Sequence, residues 1–269
     1  TLGHMLRSRR TFTMYRLLAA LLVTVAACSG DDSSSSGDAS TRSTATTTAP
    51  SEEGSAGSYV EVEFVAADGE ERSGRLFGAG DVAVVLSHMG RPGDGQDDWQ
   101  KFAEDLVSKG GLQVLTYEGR RTLSETWNDV VGAVEYLRDD GADVVIAGGA
   151  SIGAMASLEA AINPDSQISA VLWLAGVLHN SGYDFTAADV SGLACPMLVA
   201  SGDQDGYGAA NDARQLSDWT PGVSQLLIVE ASQHGTDVLT EADPNVADQL
   251  RDAMIGFIET AANQPPATC

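Results

Sequence analysis

Positive charge is what this 269-residue chain has least of: 15 lysines and arginines stand against 38 aspartates and glutamates, and only Lys101 and Lys109 are lysines. That balance argues against a nucleic-acid partner, because phosphate backbones are held by surplus cations. Cysteine is scarcer still. Cys28, Cys195 and Cys269 cannot build a disulfide-dense scaffold or a cysteine zinc cluster, and no His/Cys spacing points to a metal. No cofactor is implied. Histidine occurs four times, so imidazole chemistry is confined to His4, His88, His179 and His234. The N-terminal apolar run at 17–27 is too short to cross a bilayer. Residues 29–58 contain no Val, Ile, Leu, Met or aromatic residue, and half of them are Ser or Thr. With so little apolar surface to bury, that segment reads as a flexible tether.

Residues 1–27 carry Arg7, Arg9, Arg10 and Arg16 without an acid, followed by the short apolar run, which is the pattern of an export signal peptide. Val25, Ala26, Ala27 and Cys28 resemble the bacterial lipobox, which implies lipidation of Cys28 after cleavage and anchoring at the extracytoplasmic face of the membrane. Ser8, Arg9, Arg10, Thr11 and Phe12 also resemble a twin-arginine signal. A plain signal peptide with an unmodified Cys28 is the alternative. The organisation expected is a signal peptide at 1–27, a lipid-anchored linker at 28–58 reaching about 30 Å, and one domain at 59–269. Removing the leader takes four of the fifteen basic residues and no acid, so the remainder is more negative still. Bulk charge of that sign favours neutral over anionic substrates.

The domain alternates between two kinds of segment. Residues 59–64 alternate in polarity and pair with 72–77 across a turn at Asp68 and Gly69, as an antiparallel edge. Buried strand-like runs follow at 82–86, 112–115, 144–147, 168–174, 197–200 and 226–229. Amphipathic stretches separate them at 99–107, 127–137, 155–161, 213–219 and 246–258. Strands alternating with helices predict a parallel sheet covered on both faces. About 210 residues suit one core of that kind.

Between the run at 144–147 and the helical stretch at 155–161 lie Gly149, Ala150, Ser151, Ile152 and Gly153, a Gly-x-Ser-x-Gly turn. A serine on a sharp strand-to-helix turn needs small neighbours, and the helix aims free N–H groups above it. Ser151 is thus the candidate nucleophile. His234 follows the run at 226–229 by a short loop and is the candidate base. Asp205, in the loop after 197–200, is the preferred acid, with Asp203 two residues away as the alternative.

The order Ser151, Asp205, His234 resembles the α/β-hydrolase superfamily, as do Gly202-x-x-Asp205 after the seventh strand and His234-Gly235 after the eighth. Within it the chain is similar to dienelactone-hydrolase-like and small carboxylesterase members over about residues 59–262. The resemblance implies a mostly parallel eight-stranded sheet with helices on both faces and no large cap domain. It also implies a serine hydrolase acting on a small-molecule carboxylic ester or thioester through an acyl-enzyme, with amides as the alternative.

In that superfamily His-Gly-x after the third strand supplies an oxyanion N–H. Here the residues are His88, Met89 and Gly90, with Met89 where glycine is usual, so the donors are expected to be the backbone N–H of Met89 or Gly90 and that of Ile152. His88 is read as an organiser of that loop, and His179 as exposed or at the pocket mouth. A non-catalytic lipid-anchored binding protein on the same fold is the reading from another class. Cys195 and Cys269 fit either a disulfide or two free thiols, and the oligomeric state is not legible.

Overall fold

A computed structural model describes residues 58–163, 165, 167–263 and 268–269. The leader, Cys28 and the tether lie outside the described residues. Among the described residues no helix is long and apolar enough to cross a membrane.

The first hairpin forms where polarity alternates: β1 (Tyr59–Val65) runs antiparallel to β2 (Glu71–Gly78), with Tyr59 opposite Phe77 and Val65 opposite Glu71. Then the buried runs become strands: β3 (Val82–Ser87), β4 (Leu112–Tyr117), β5 (Val144–Ala150), β6 (Ala170–Leu174), β9 (Met197–Gly202) and β10 (Ser224–Val229). Two short strands in between, β7 (His179–Asn180) and β8 (Tyr183–Asp184), pair only with each other. The large sheet has eight strands in the order β1-β2-β4-β3-β5-β6-β9-β10. It is antiparallel at β1–β2 and β2–β4 and parallel elsewhere.

Side chains alternate across each central strand, and this splits the core in two. Ala83 and Val85 of β3 and Val145 and Ala147 of β5 face α2 (Thr126–Asp139), α3 (Ile152–Ala161) and α5 (Ala209–Trp219). Val84, Leu86, Val144 and Ile146 face α1 (Gln100–Val107), α6 (Asp237–Glu241) and α7 (Pro244–Ala262). Helix α7 starts under an N-cap, Asp243, whose side chain accepts the Asn245 N–H, with Pro244 at its first position. Each apolar face is thereby removed from water by helices on both sides.

One expectation needs adjustment. The run at 226–229 is an edge strand rather than a buried one, and Leu226 is 44% exposed because nothing pairs with β10 on its outer side. The stretch between β6 and β9, which shows no periodicity, is folded: Leu178, Tyr183, Phe185 and Val190 bury into the core beneath the β7–β8 hairpin and α4 (Ala187–Val190). It is not a large cap. The cysteine alternatives resolve as a disulfide between Cys195 and Cys269, and the Cys269 N–H donates to the Ile168 carbonyl, so Cys269 lies at the start of β9.

Candidate active site

Ser151 stands between the end of β5 and the start of α3 with φ 53° and ψ −117°, a conformation that side chains other than glycine rarely adopt. What permits it is the absence of side chains around it. A Cβ on Gly149 would lie 2.3 Å from the Gly153 carbonyl carbon, and one on Gly153 would lie 2.2 Å from the Ser87 carbonyl oxygen. The turn is held by the Ser151 N–H donating to Leu174 O at 2.9 Å and the Met155 N–H donating to Ser151 O at 3.1 Å. This is the strained, tightly packed turn expected of the motif.

Asp205 and His234 arrive from the ends of β9 and β10 and meet. His234 Nδ1 lies 2.7 Å from Asp205 Oδ2, and both residues are buried. The other carboxylate oxygen accepts the Tyr207 N–H at 2.8 Å. A carboxylate with both oxygens occupied holds its proton-bearing partner in one orientation, so Nδ1 carries the hydrogen and Nε2 keeps a lone pair. Asp203 has a different job: its Oδ1 accepts the Ala231 N–H at 3.1 Å and fastens the loop after β10.

Ser151 and His234 line one cavity of about 130 Å³, together with Gly90, Ile152, Leu123, Val177 and Tyr207. Gly90 and Ile152 are therefore brought to the site, and among the described residues neither backbone N–H is taken by another group. Met89 does not line that cavity. Its side chain is buried instead: a Cβ on Gly235, whose φ is 57°, would lie 2.4 Å from Met89 Sδ. Gly235 thus combines a left-handed backbone with close packing against the buried Met89 sulfur. Of the two residues offered for the first donor, Gly90 is the one at the cavity.

His88 organises this loop through both ring nitrogens. Its Nε2 accepts the Gly119 N–H at 2.9 Å, and its Nδ1 donates to the Met89 carbonyl oxygen. That carbonyl and the Gly90 N–H belong to one planar peptide unit and point in opposite directions. Fixing one aims the other. The end of β3 is anchored beneath, where Tyr117 Oη and Ser87 Oγ are 2.8 Å apart and Trp99 Nε1 donates to Ser87 O at 3.0 Å. Burial, its largest cause, pushes the Tyr117 phenol well above its usual range.

A buried ionic cluster holds the neighbouring loop that carries Gly119. Asp129 of α2, fully buried, accepts from Arg120 Nη2 at 2.6 Å and from Arg72 Nε at 2.8 Å. Arg120 Nη1 also reaches Asp68 Oδ2 at 2.5 Å, and that bond is the main reason the Asp68 carboxyl is held down to about 2.

Three residues of the site carry no motif. Tyr207 lays its ring over His234, centroids 4.3 Å apart, while remaining 59% exposed. Arg91 joins the loop after β3 to α6 through Asp237, at 2.7 Å, and also pairs with Asp94; these carboxylates keep its guanidinium firmly protonated. Ser181, at the tip of the β7–β8 hairpin with φ 48°, closes the cavity from the side opposite in sequence. His179 is exposed and paired with Asp184 at 2.5 Å. Among the described residues no cluster of His, Cys, Asp or Glu is arranged to hold a metal.

No protein-family profile matches the chain, and no curated protein matches it by sequence. Solved structures do match in shape. An esterase of Pyrococcus furiosus, Pf2001, superposes with a TM-score of 0.63 at 13% identity, over 77% of this chain and 91% of its own. The esterase LipW of Mycobacterium marinum gives 0.59 at 16% identity, over 78% and 83%. A serine hydrolase involved in carbazole degradation gives 0.59 at 15% identity, over 76% and 100%. The chain has the α/β-hydrolase fold.

Proposed function

We propose that the chain is a serine hydrolase of carboxylic esters, with Ser151 as nucleophile, His234 as base and Asp205 as its orienting acid. The observation that carries the reading is the 2.7 Å contact of His234 Nδ1 with Asp205 Oδ2 beside the cavity that Ser151 also lines. Ser151 Oγ attacks the ester carbonyl and its proton passes to His234 Nε2. The Gly90 and Ile152 N–H groups receive the oxyanion. Collapse expels the alcohol, which takes the proton. Water, deprotonated by the same imidazole, then releases the acid and restores the serine. That Pf2001 and LipW are named esterases supports the ester reading.

The test is a fluorophosphonate probe on the full chain, read beside hydrolysis of p-nitrophenyl acetate. Labelling and turnover are expected, and both vanish in Ser151→Ala. A folded wild-type protein that is neither labelled nor active supports the non-catalytic binding protein instead.

Attachment to a membrane through lipidated Cys28 belongs to the same proposal. The Cys195–Cys269 disulfide supports the export that this attachment requires, since such bonds persist outside the reducing cytoplasm. Cys28→Ala is expected to move the protein from the membrane fraction to the soluble one. An unchanged distribution refutes the anchor.

A further inference from the structure

Beside the cavity of Ser151 lies a second one of about 380 Å³, and the two share Gly90, Arg91 and Leu123. Their walls differ in kind. Around Ser151 and His234 the smaller cavity is faced by Leu123, Ile152, Val177 and Tyr207, with Arg91, Asn180 and Ser181 as its further polar lining. The larger is lined by five charged residues, Arg91, Asp94, Glu118, Arg120 and Arg121, in a chain where cations are few, though the Arg120 side chain itself is buried in its ion pairs.

These charges are held rather than free. Arg91 is paired with Asp94 and Asp237, and Arg120 with Asp129 and Asp68. Glu118 Oε1 accepts the Gln96 N–H at 3.3 Å. Among the described residues Arg121 alone of the five has no partner. Arg120 spends its N–H groups on Asp68, Glu125 and Asp129 and Arg91 keeps one, so the free donors of the wall are chiefly those of Arg121, while the carboxylates keep lone pairs. Donors and acceptors stand side by side with little net charge. Hydrocarbon placed there would desolvate ion pairs and return nothing. A carboxylate would gain Arg121 but would face Asp94 and Glu118. Hydroxyl groups, which both donate and accept, satisfy both signs.

We propose that the substrate is a short acyl ester of a hydroxylated alcohol, a polyol or sugar, with the acyl group in the small cavity and the carrier in the charged one. This rests on the reading of Ser151 as nucleophile and adds the identity of the alcohol half. Arg121 and Glu118 are the residues that recognise the carrier.

Three acetate esters that differ only in the alcohol test it on the full chain: 6-O-acetylglucose, ethyl acetate and O-acetyl-lactate. The expected kcat/KM is at least roughly tenfold higher for the glucose ester than for ethyl acetate, the effect of one hydrogen bond to a charged group, with the lactate ester lowest. Arg121→Ala and Glu118→Ala are each expected to shrink the glucose-to-ethyl ratio severalfold. Equal values for glucose and ethyl esters, a preference for the lactate ester, or a ratio unmoved in both variants overturns the proposal. Turnover of ethyl acetate with no preference overturns this inference alone. Failure on all three esters together with absent fluorophosphonate labelling overturns the nucleophile reading as well.

Discussion

The two sides of the candidate site are built by different physics. On the nucleophile side, the turn at Ser151 is a matter of backbone sterics: Gly149 and Gly153 touch, and Gly153 lies against Ser87 O with no room for a methyl group. On the facing side, in the loops after β3 and β4, Gly90 and Gly119 also sit close, but against the side chains of Ile152 and His88 rather than against backbone. These loops are fastened by hydrogen bonds and ion pairs that reach far along the chain, His88 to Gly119, Arg91 to Asp237 and Arg120 to Asp129. A steric turn is all or nothing, whereas a bonded loop loses order by degrees. Substitutions on the two sides should therefore fail differently.

Gly153→Ala sets the upper end. With 2.2 Å to a backbone oxygen, the added methyl forces the turn apart, and a loss of about 1–3 kcal/mol of stability or more is expected together with loss of fluorophosphonate labelling. Thermal unfolding and the probe read the two effects. A variant that keeps both its melting temperature and its labelling breaks the steric account.

Asp205→Asn leaves the shape of the site intact but removes the acceptor that fixes the His234 tautomer, and kcat is expected to fall by roughly 10³–10⁴ with the fold unchanged. Asp203→Asn serves as its control, since Asp203 bonds only the loop backbone and a neighbouring glutamine. A larger loss from Asp203→Asn would reverse the assignment of the acid.

His88→Phe sharpens the comparison on the bonded side. The ring volume stays and both hydrogen bonds go, so kcat should drop by about 10- to 100-fold with little change in KM, the signature of a misaimed oxyanion donor. A rise in KM alone would make His88 a binding residue instead.

The smallest effect belongs to Asp68. Its carboxyl, held down to about 2 by Arg120, favours the folded state above the usual carboxylate range near 4, and that contribution is lost as pH falls through about 2. Asp68→Asn should therefore lower the melting temperature slightly at pH 6 and hardly at all at pH 2. An equal shift at both values would show that the pair contributes nothing through charge.

This division also explains what could be read from the amino acids alone. The turn at Ser151, the alternation of β1 and β2 and the apolar runs of β3 to β6 are local patterns, and the order Ser151, Asp205, His234 needs only chain position. Element ends move by a few residues, as where α7 begins at Pro244 rather than 246. The pairings that complete the site carry no such pattern. Arg91 and Asp237 are 146 positions apart, and nothing near either names the other. Tyr207 has no motif around it, and only the loops after β9 and β10 bring it over His234. The fold of 175–194 escapes for the same reason: its apolar residues answer to the core beneath them, not to a helical or strand period.

One covalent link alters how the domain can come apart. Cys195 and Cys269 are 74 positions apart, and the stretch they enclose contains both Asp205 and His234 but not Ser151. That stretch is a closed ring tied at the foot of the sheet, so α7 cannot be drawn away from the rest of the domain as a free end. A protease cut at one point inside the ring leaves both pieces joined, and His234 stays tethered to the same molecule as Ser151.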